Sequence, residues 1–236
     1  MAEDLGIDPV ELRLKNLIPP SAMPYELGRT RPEEYSLIYD SGDYPALLRK
    51  ALEMIDYEGI KGETGRLQEG KYHGVGIGCF VKSTGTGDLG EGARVAITGP
   101  DQVAVYLGIA TMGQGHETVM AQICADGLGV PIDCIAVYHG NTDLVSIGGG
   151  TYASRGTTLA GNAVFGAAQQ LRDRVLAVSA AFLDVDPSEL ELSQGMVHRK
   201  GSPGGDTALD LGEVLALAVP GSRYNQGENG LEANYY

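Results

Sequence analysis

Apolar positions recur at helical spacing in several segments of the chain and in short strand-like runs between them. Val10, Leu14 and Leu17 follow Asp8-Pro9-Val10-Glu11. This predicts a helix with Asp8 as N-cap, Pro9 at its first position and Glu11 closing a capping box. Pro19-Pro20 ends it, and residues 19–42, with Pro24 and Pro32, read as irregular. A second helix follows Asp43, with Leu47, Leu48, Ala51, Leu52 and Ile55 on its apolar face. Runs at 72–82, 93–98 and 102–109 are rich in β-branched residues and bounded by glycine turns, which predicts strands. Gly99-Pro100-Asp101 suits a hairpin connection between the last two. A helix over 115–127 stops at Gly127 and Gly129, ahead of Pro131.

A strand over 133–139 and a loop over 140–153 lead into the longest helix. Its stripe of Val164, Ala168, Leu171, Val175, Val178 and Phe182 steps by four and three. Asp186-Pro187-Ser188-Glu189 repeats the cap pattern for no more than a turn, and Gly195 with Gly201 to Gly205 bracket a hairpin. Asp210-Leu211-Gly212-Glu213 opens a short helix that buries Val214, Leu215 and Ala218. The pattern predicts an α+β fold, a mixed sheet packed by helices in a two-layer arrangement. Residues 1–70 read as a helical and irregular segment packing on the core, and 71–236 as the α+β domain.

Composition narrows the function classes. The net charge of −14 argues against a nucleic-acid partner, because phosphate binding wants a basic surface. No apolar run is long enough to span a membrane, and no basic segment followed by an apolar one marks a signal peptide. Cys79, Cys124 and Cys134 form no C-x-x-C pair, so zinc and thioredoxin-like chemistry lack support. The odd count fits a reducing, cytoplasmic setting. Cys79, in a strand-like run, and Cys124, on a helix, read as buried structural residues.

The candidate chemistry lies in two glycine-rich turns, each leaving a strand and feeding a helix. The first is Thr111-Met112-Gly113-Gln114-Gly115-His116-Glu117-Thr118, and the second runs from Gly148 through Thr158. A helix N-terminus offers unpaired N–H groups and a positive dipole end, so it suits an anion. If the two strands are neighbours, both turns lie at one sheet edge and face one ligand. Gln114 offers an amide that reads a heterocycle edge. Ser, Thr and Arg in the second turn suit phosphate, although Ser154 also suits a helix cap and Arg155 a surface ion pair. Glu117 adjoins His116 rather than sitting four residues away, so this is no H-E-x-x-H zinc site. His116 and His139 read as packing or hydrogen-bonding residues, Glu91 and Asp143 as solvated or capping carboxylates, and Tyr152 as a residue that could line the site.

These turns resemble the molybdopterin-binding large subunit of the molybdenum hydroxylases, the group of xanthine dehydrogenase, aldehyde oxidase and aerobic carbon monoxide dehydrogenase. The matching pieces are residues 112–118, Ala121-Gln122-Ile123 with Ala125-Asp126, 139–143, and Gly150-Thr151-Tyr152-Ala153-Ser154-Arg155. The opening residues 5–16 and the final residues 231–236 resemble the family too. The resemblance implies that Gln114, between Gly113 and Gly115, contacts the pyranopterin. It implies that Thr151, Ala153, Ser154, Arg155 and Thr157 hold the pterin and phosphate part. The implied cofactor is molybdopterin with molybdenum, in the cytosine dinucleotide form. Iron–sulphur clusters and FAD are expected on partner chains or domains.

The family's catalytic glutamate, in a Gly-Val-Gly-Glu-type loop, has no counterpart in this sequence, and its other cofactor-binding half is also missing. No residue here is therefore assigned a catalytic or metal-ligating role. The expectation is a middle piece of a larger subunit, inactive alone, completed by the rest of the molybdenum subunit and by iron–sulphur and flavin subunits, and acting on a small molecule. A non-catalytic assembly module is the alternative. A plain nucleotide-binding domain is weaker, since there is no G-x-x-x-x-G-K-[ST] and no well-placed G-x-G-x-x-G.

Overall fold

A computed structural model describes residues 1–28, 36–82, 84–85, 90–202, 208–225 and 230–236. Pro32, Gly204 and Gly205 lie outside the described residues. The chain divides into two compact units, Met1–Val81 and Lys82–Tyr236.

The first unit is built from short elements: α1 (Ala2–Leu5), α2 (Pro9–Asn16), β1 (Tyr25–Gly28), β2 (Leu37–Tyr39), α3 (Tyr44–Met54), α4 (Tyr57–Glu63), β3 (Leu67–Gln68) and β4 (Lys71–Tyr72). Asp8 caps α2 by accepting from Val10 N at 2.7 Å and Glu11 N at 3.3 Å. Glu11 turns away to Lys15 at 2.9 Å instead of closing a box. A hydrogen bond from Lys61 holds the Asp8 carboxyl below the usual range. Asp43 caps α3 as expected, but of its expected apolar face only Leu48 is buried, while Leu47 is 70% exposed. The 19–42 stretch is not wholly irregular, since β1 and β2 pair antiparallel.

The run at 72–82 does not form the expected strand. Only Lys71 and Tyr72 pair, with Gln68 and Leu67. Beyond them three of the five residues from Gly74 to Gly78 are glycines, which have no side chain to pack. Arg13 Nη2 donates to Ile77 O at 2.7 Å and ties this segment to α2. Cys79, expected to be buried, is exposed for the same reason: no sheet covers it.

The second unit carries the core. Its main sheet has the order β11-β5-β6-β7, from β5 (Ala93–Gly99), β6 (Gln102–Leu107), β7 (Ile135–His139) and β11 (Glu232–Tyr235). The β5–β6 hairpin turns at Gly99-Pro100-Asp101, as its sequence predicts, and sets Ala93 opposite Leu107 and Ile97 opposite Val103. Alternation then places Ala93, Val95, Ile97, Val103, Val105 and Leu107 in the buried cluster. Arg94, Tyr106 and Tyr138 take the other face. There the Arg94 guanidinium lies 4.0 Å from the Tyr106 ring, which stacks on Tyr138 at 5.3 Å.

Helices α5 (His116–Leu128) and α6 (Asn162–Leu183) pack against the buried face and each other. Gly127 stays inside α5, and Gly129 ends it with φ +92, a left-handed C-cap that favours glycine. Helix α6 buries Val164, Ala168, Leu171, Val175 and Val178 along its predicted stripe, with Phe182 partly exposed at its end.

A small antiparallel sheet of β8 (Leu190–Ser193), β9 (Met196–Arg199) and β10 (Leu209–Asp210) joins the same core through Leu190, Leu192 and Val197. Capping boxes close reciprocally at Asp186/Glu189 and, before α7 (Leu211–Leu217), at Asp210/Glu213. The α+β class is thus the observed one, with mixed open sheets packed by helices.

Leu171 is fully buried between α6 and the sheet. Leu171→Ala should cost about 2–5 kcal/mol, read as a lower midpoint in thermal unfolding. Leu47→Ala, at an exposed site, should leave the midpoint within experimental scatter.

Candidate functional site

Strands β6 and β7 pair in parallel, Val103 opposite Ile135 through Leu107 opposite His139. A parallel pair needs a crossover, here α5, and puts the C-terminal ends of both strands at one edge. The two glycine-rich loops leave from those ends. They meet in an open cleft of about 520 Å³ lined by Gln114 and His116 from the first loop and by residues 151–158 from the second, with Lys82 and Thr84 beside them. Among the sequence-predicted residues, Gln114, Thr151, Ala153, Ser154, Arg155 and Thr157 line this cleft, and Gly113 and Gly115 flank Gln114 in the chain.

The first loop is shaped by backbone that favours glycine. Gly113 has φ +101 and Gly115 φ +74, and a Cβ on either would meet only open space. The requirement is therefore one of conformation. Gln114 Oε1 accepts from Met112 N at 2.6 Å, so the loop's own backbone fixes the amide. Gly115 is the N-cap of α5 and offers no side chain to satisfy the first-turn N–H groups. Glu117, in that turn, bonds His139 Nε2 at 2.8 Å, and this contact holds the Glu117 carboxyl below its usual range.

The second loop reaches a π-helical turn at Gly156–Gly161 before α6 proper begins. The turn's N-cap is Arg155, and no side chain caps it, so Ser154 is not the capping serine its position suggested. Ala153 and Ser154 are consecutive left-handed residues, at φ +49 and +55. Each costs about 1 kcal/mol without glycine's freedom. Thr151 Oγ1 donates across to Ala110 O at 2.5 Å and fastens one loop to the other.

Arg155 is not the surface ion pair that its sequence context allowed. Its side chain is fully buried, and so is that of its partner Glu91, with Nη2 to Oε1 at 2.9 Å. Arg155 Nη1 donates to Tyr152 Oη at 2.8 Å and Nη2 to Gly90 O at 3.3 Å. Gly149 N donates to both Glu91 oxygens, at 3.0 and 3.2 Å. Burial pushes the Glu91 carboxyl up, against the pull of Gly149 N–H and Arg155. Any contact from Arg155 to a ligand in the cleft would therefore come from its backbone.

Sequence reasoning passed over Glu91 as a solvated or capping carboxylate, since a lone Glu after a glycine loop carries no sign of a distant arginine. It also passed over Gly108. A Cβ there would overlap the Ile147 carbonyl oxygen and Gly148 Cα, so this glycine is what lets the second loop lie on the end of β6. His116, read as a packing residue, is indeed buried beside Gly156. Its Nδ1 has no hydrogen-bond partner among the described residues. Among those residues no group of three His, Cys, Asp or Glu could hold a metal directly.

Residues 50–236 match the family model of a molybdopterin cofactor-binding domain. The chain is 34% identical to the carbon monoxide dehydrogenase large chain of Afipia carboxidovorans, over all of this chain and 30% of that one. It is 31% identical to a putative xanthine dehydrogenase molybdenum-binding subunit of Escherichia coli K12, over 86% of this chain and 27% of that one. A solved structure of reconstituted CO dehydrogenase from Oligotropha carboxidovorans superposes with a TM-score of 0.64 at 32% identity, covering this whole chain and 30% of that one. The chain belongs to the molybdopterin cofactor-binding domain family of the molybdenum hydroxylases. It spans about 30% of the length of these relatives.

Gly108→Ala should wedge the second loop off β6. Overpacking of this kind costs about 1–3 kcal/mol, read as a lower unfolding midpoint. Gly62→Ala, where a Cβ meets nothing, serves as the comparison. Equal midpoints for the two variants would show that the close approach at Gly108 does not matter.

Proposed function

We propose that this chain supplies one half of the molybdopterin-binding site of a molybdenum hydroxylase, and that it is inactive alone. The observation that carries the reading is the parallel pairing of β6 and β7, which brings Gln114 and the 151–157 loop into one cleft. The residues suit the group. Among the described residues, the first turn of α5 has no side-chain cap, and His116 Nδ1 is buried beside the cleft without a hydrogen-bond partner. Gly113, Gly115 and Gly150 all have positive φ and open space where a Cβ would stand. Uncapped N–H groups at the start of α5 and of the turn leading into α6 favour a negatively charged ligand.

In this reading Gln114, its oxygen held by Met112 N, presents its NH₂ group to an acceptor on the pterin. Ala153, Ser154, Arg155 and Thr157 follow the phosphate end, with Ser154 and Thr157 exposed to the cleft and Arg155 contributing backbone. Thr151 holds the two loops in register through Ala110. When bound, molybdenum on its pterin supplies the redox and oxygen-transfer chemistry; the protein supplies binding and orientation. The cytosine dinucleotide form, iron–sulphur and flavin partners, a cytoplasmic setting and a small-molecule substrate are the further parts of this proposal. They are supported by the family and by relatives named as large chains or molybdenum-binding subunits.

The test is elemental analysis of the gently purified protein together with the masses of all co-purifying chains. One molybdenum per chain, with partners that carry the remaining cofactor half, is the expected result. Gln114→Ala should lower retained molybdenum about tenfold, the worth of one hydrogen bond of about 1.4 kcal/mol. Absence of molybdenum from every complex would sink the reading in favour of an assembly module. Robust turnover by the partner-free chain would overturn the claim that it is inactive alone.

A further inference from the structure

The Glu91–Arg155 pair stands apart from the other ion pairs described. Both side chains are fully buried, whereas in the remaining pairs between two side chains at least one partner is a fifth or more exposed. Two charges out of water are a poor source of stability compared with apolar groups of the same volume. Their bonds, however, tie residues 90–91 to the segment 149–155. Glu91 receives Gly149 N–H, and Arg155 donates to Tyr152 Oη and sits 5.0 Å from that ring. A Cβ on Gly149 would stand 2.5 Å from Arg155 Nη2, so the backbone lies directly on the guanidinium. The left-handed Ala153 and Ser154 fall between Tyr152 and Arg155 and are bracketed by these contacts.

We infer that Glu91 and Arg155 are positioning residues, whose buried pair sets the shape of the 149–155 loop before any ligand arrives. The pair acts from the buried interior, and the side chain of Arg155 does not contact the ligand. The bidentate reach of the guanidinium matters, because it must serve Glu91, Gly90 O and Tyr152 Oη at once. This rests on the proposed cofactor-binding role of the loop for its functional consequence, but not for its structural one.

The test compares the parent protein, purified with its partners, with Arg155→Lys and with the paired variant Glu91→Leu/Arg155→Met. The paired variant removes both charges together and so avoids leaving one buried alone. Two readouts are taken: amide hydrogen exchange across the chain, and molybdenum retained per chain. The expected result is exchange at least tenfold faster at 149–156 in both variants, with α6 and β5 as protected as in the parent. Retained molybdenum should fall several-fold in both. Unchanged exchange in the paired variant overturns the proposal. So does faster exchange spread evenly over the second unit, or loss of cooperative unfolding in both variants, since the pair would then be a general stabiliser. If the parent holds no molybdenum, the cofactor reading fails on its own, and local exchange still decides whether the pair shapes the loop.

Discussion

Five aligned residue pairs, from Val103 opposite Ile135 to Leu107 opposite His139, run β6 and β7 in the same direction, and the arrangement of the site follows from that choice. Had the two strands been antiparallel, their following loops would lie at opposite edges of the sheet. Parallel pairing requires α5 as the crossover, and it brings the start of α5 and the start of the turn leading into α6 to one side. The β5–β6 hairpin and β11 extend the sheet, and the two helices bury its apolar face. The cleft is the edge where this packing stops.

Much of this was legible in the sequence, for reasons that differ by element. Helix α6 announces itself because six apolar residues keep one stripe over five turns, and its packing agrees with its local preference. The hairpin at Gly99-Pro100-Asp101 is readable from turn chemistry alone. Gln114 could be singled out because an amide between two glycines has no packing role, and the structure lines the cleft with it. The β6–β7 adjacency was only a condition in the sequence, since strand pairing depends on contacts between residues far apart in the chain.

What escaped sequence reasoning has the same origin. The run at 72–82 has the β-branched composition of a strand, but among the described residues none of it beyond Tyr72 pairs, so composition misled and Cys79 is exposed. By contrast Cys124, on the buried side of α5, has its thiol pushed up to about 12 by burial, the inert state expected for a core cysteine. Glu91 and Arg155 are 64 residues apart, and neither neighbourhood contains a hint of the other. Gly108 looks like any strand-end glycine until the backbone of residues 147 and 148 is laid against it.

The bond from Thr151 to the carbonyl of Ala110 has a thermodynamic consequence. Two loops that are fastened together cannot rearrange independently, so occupancy of one changes the free energy of occupying the other. Linkage makes that coupling reciprocal: whatever factor the first loop's contact adds to affinity at the second, the second returns to the first. Where that coupling is favourable, a ligand with only one of the two ends forfeits the coupling free energy along with the contacts of the missing end. The site would discriminate against fragments by a cooperative penalty as well as by lost contacts.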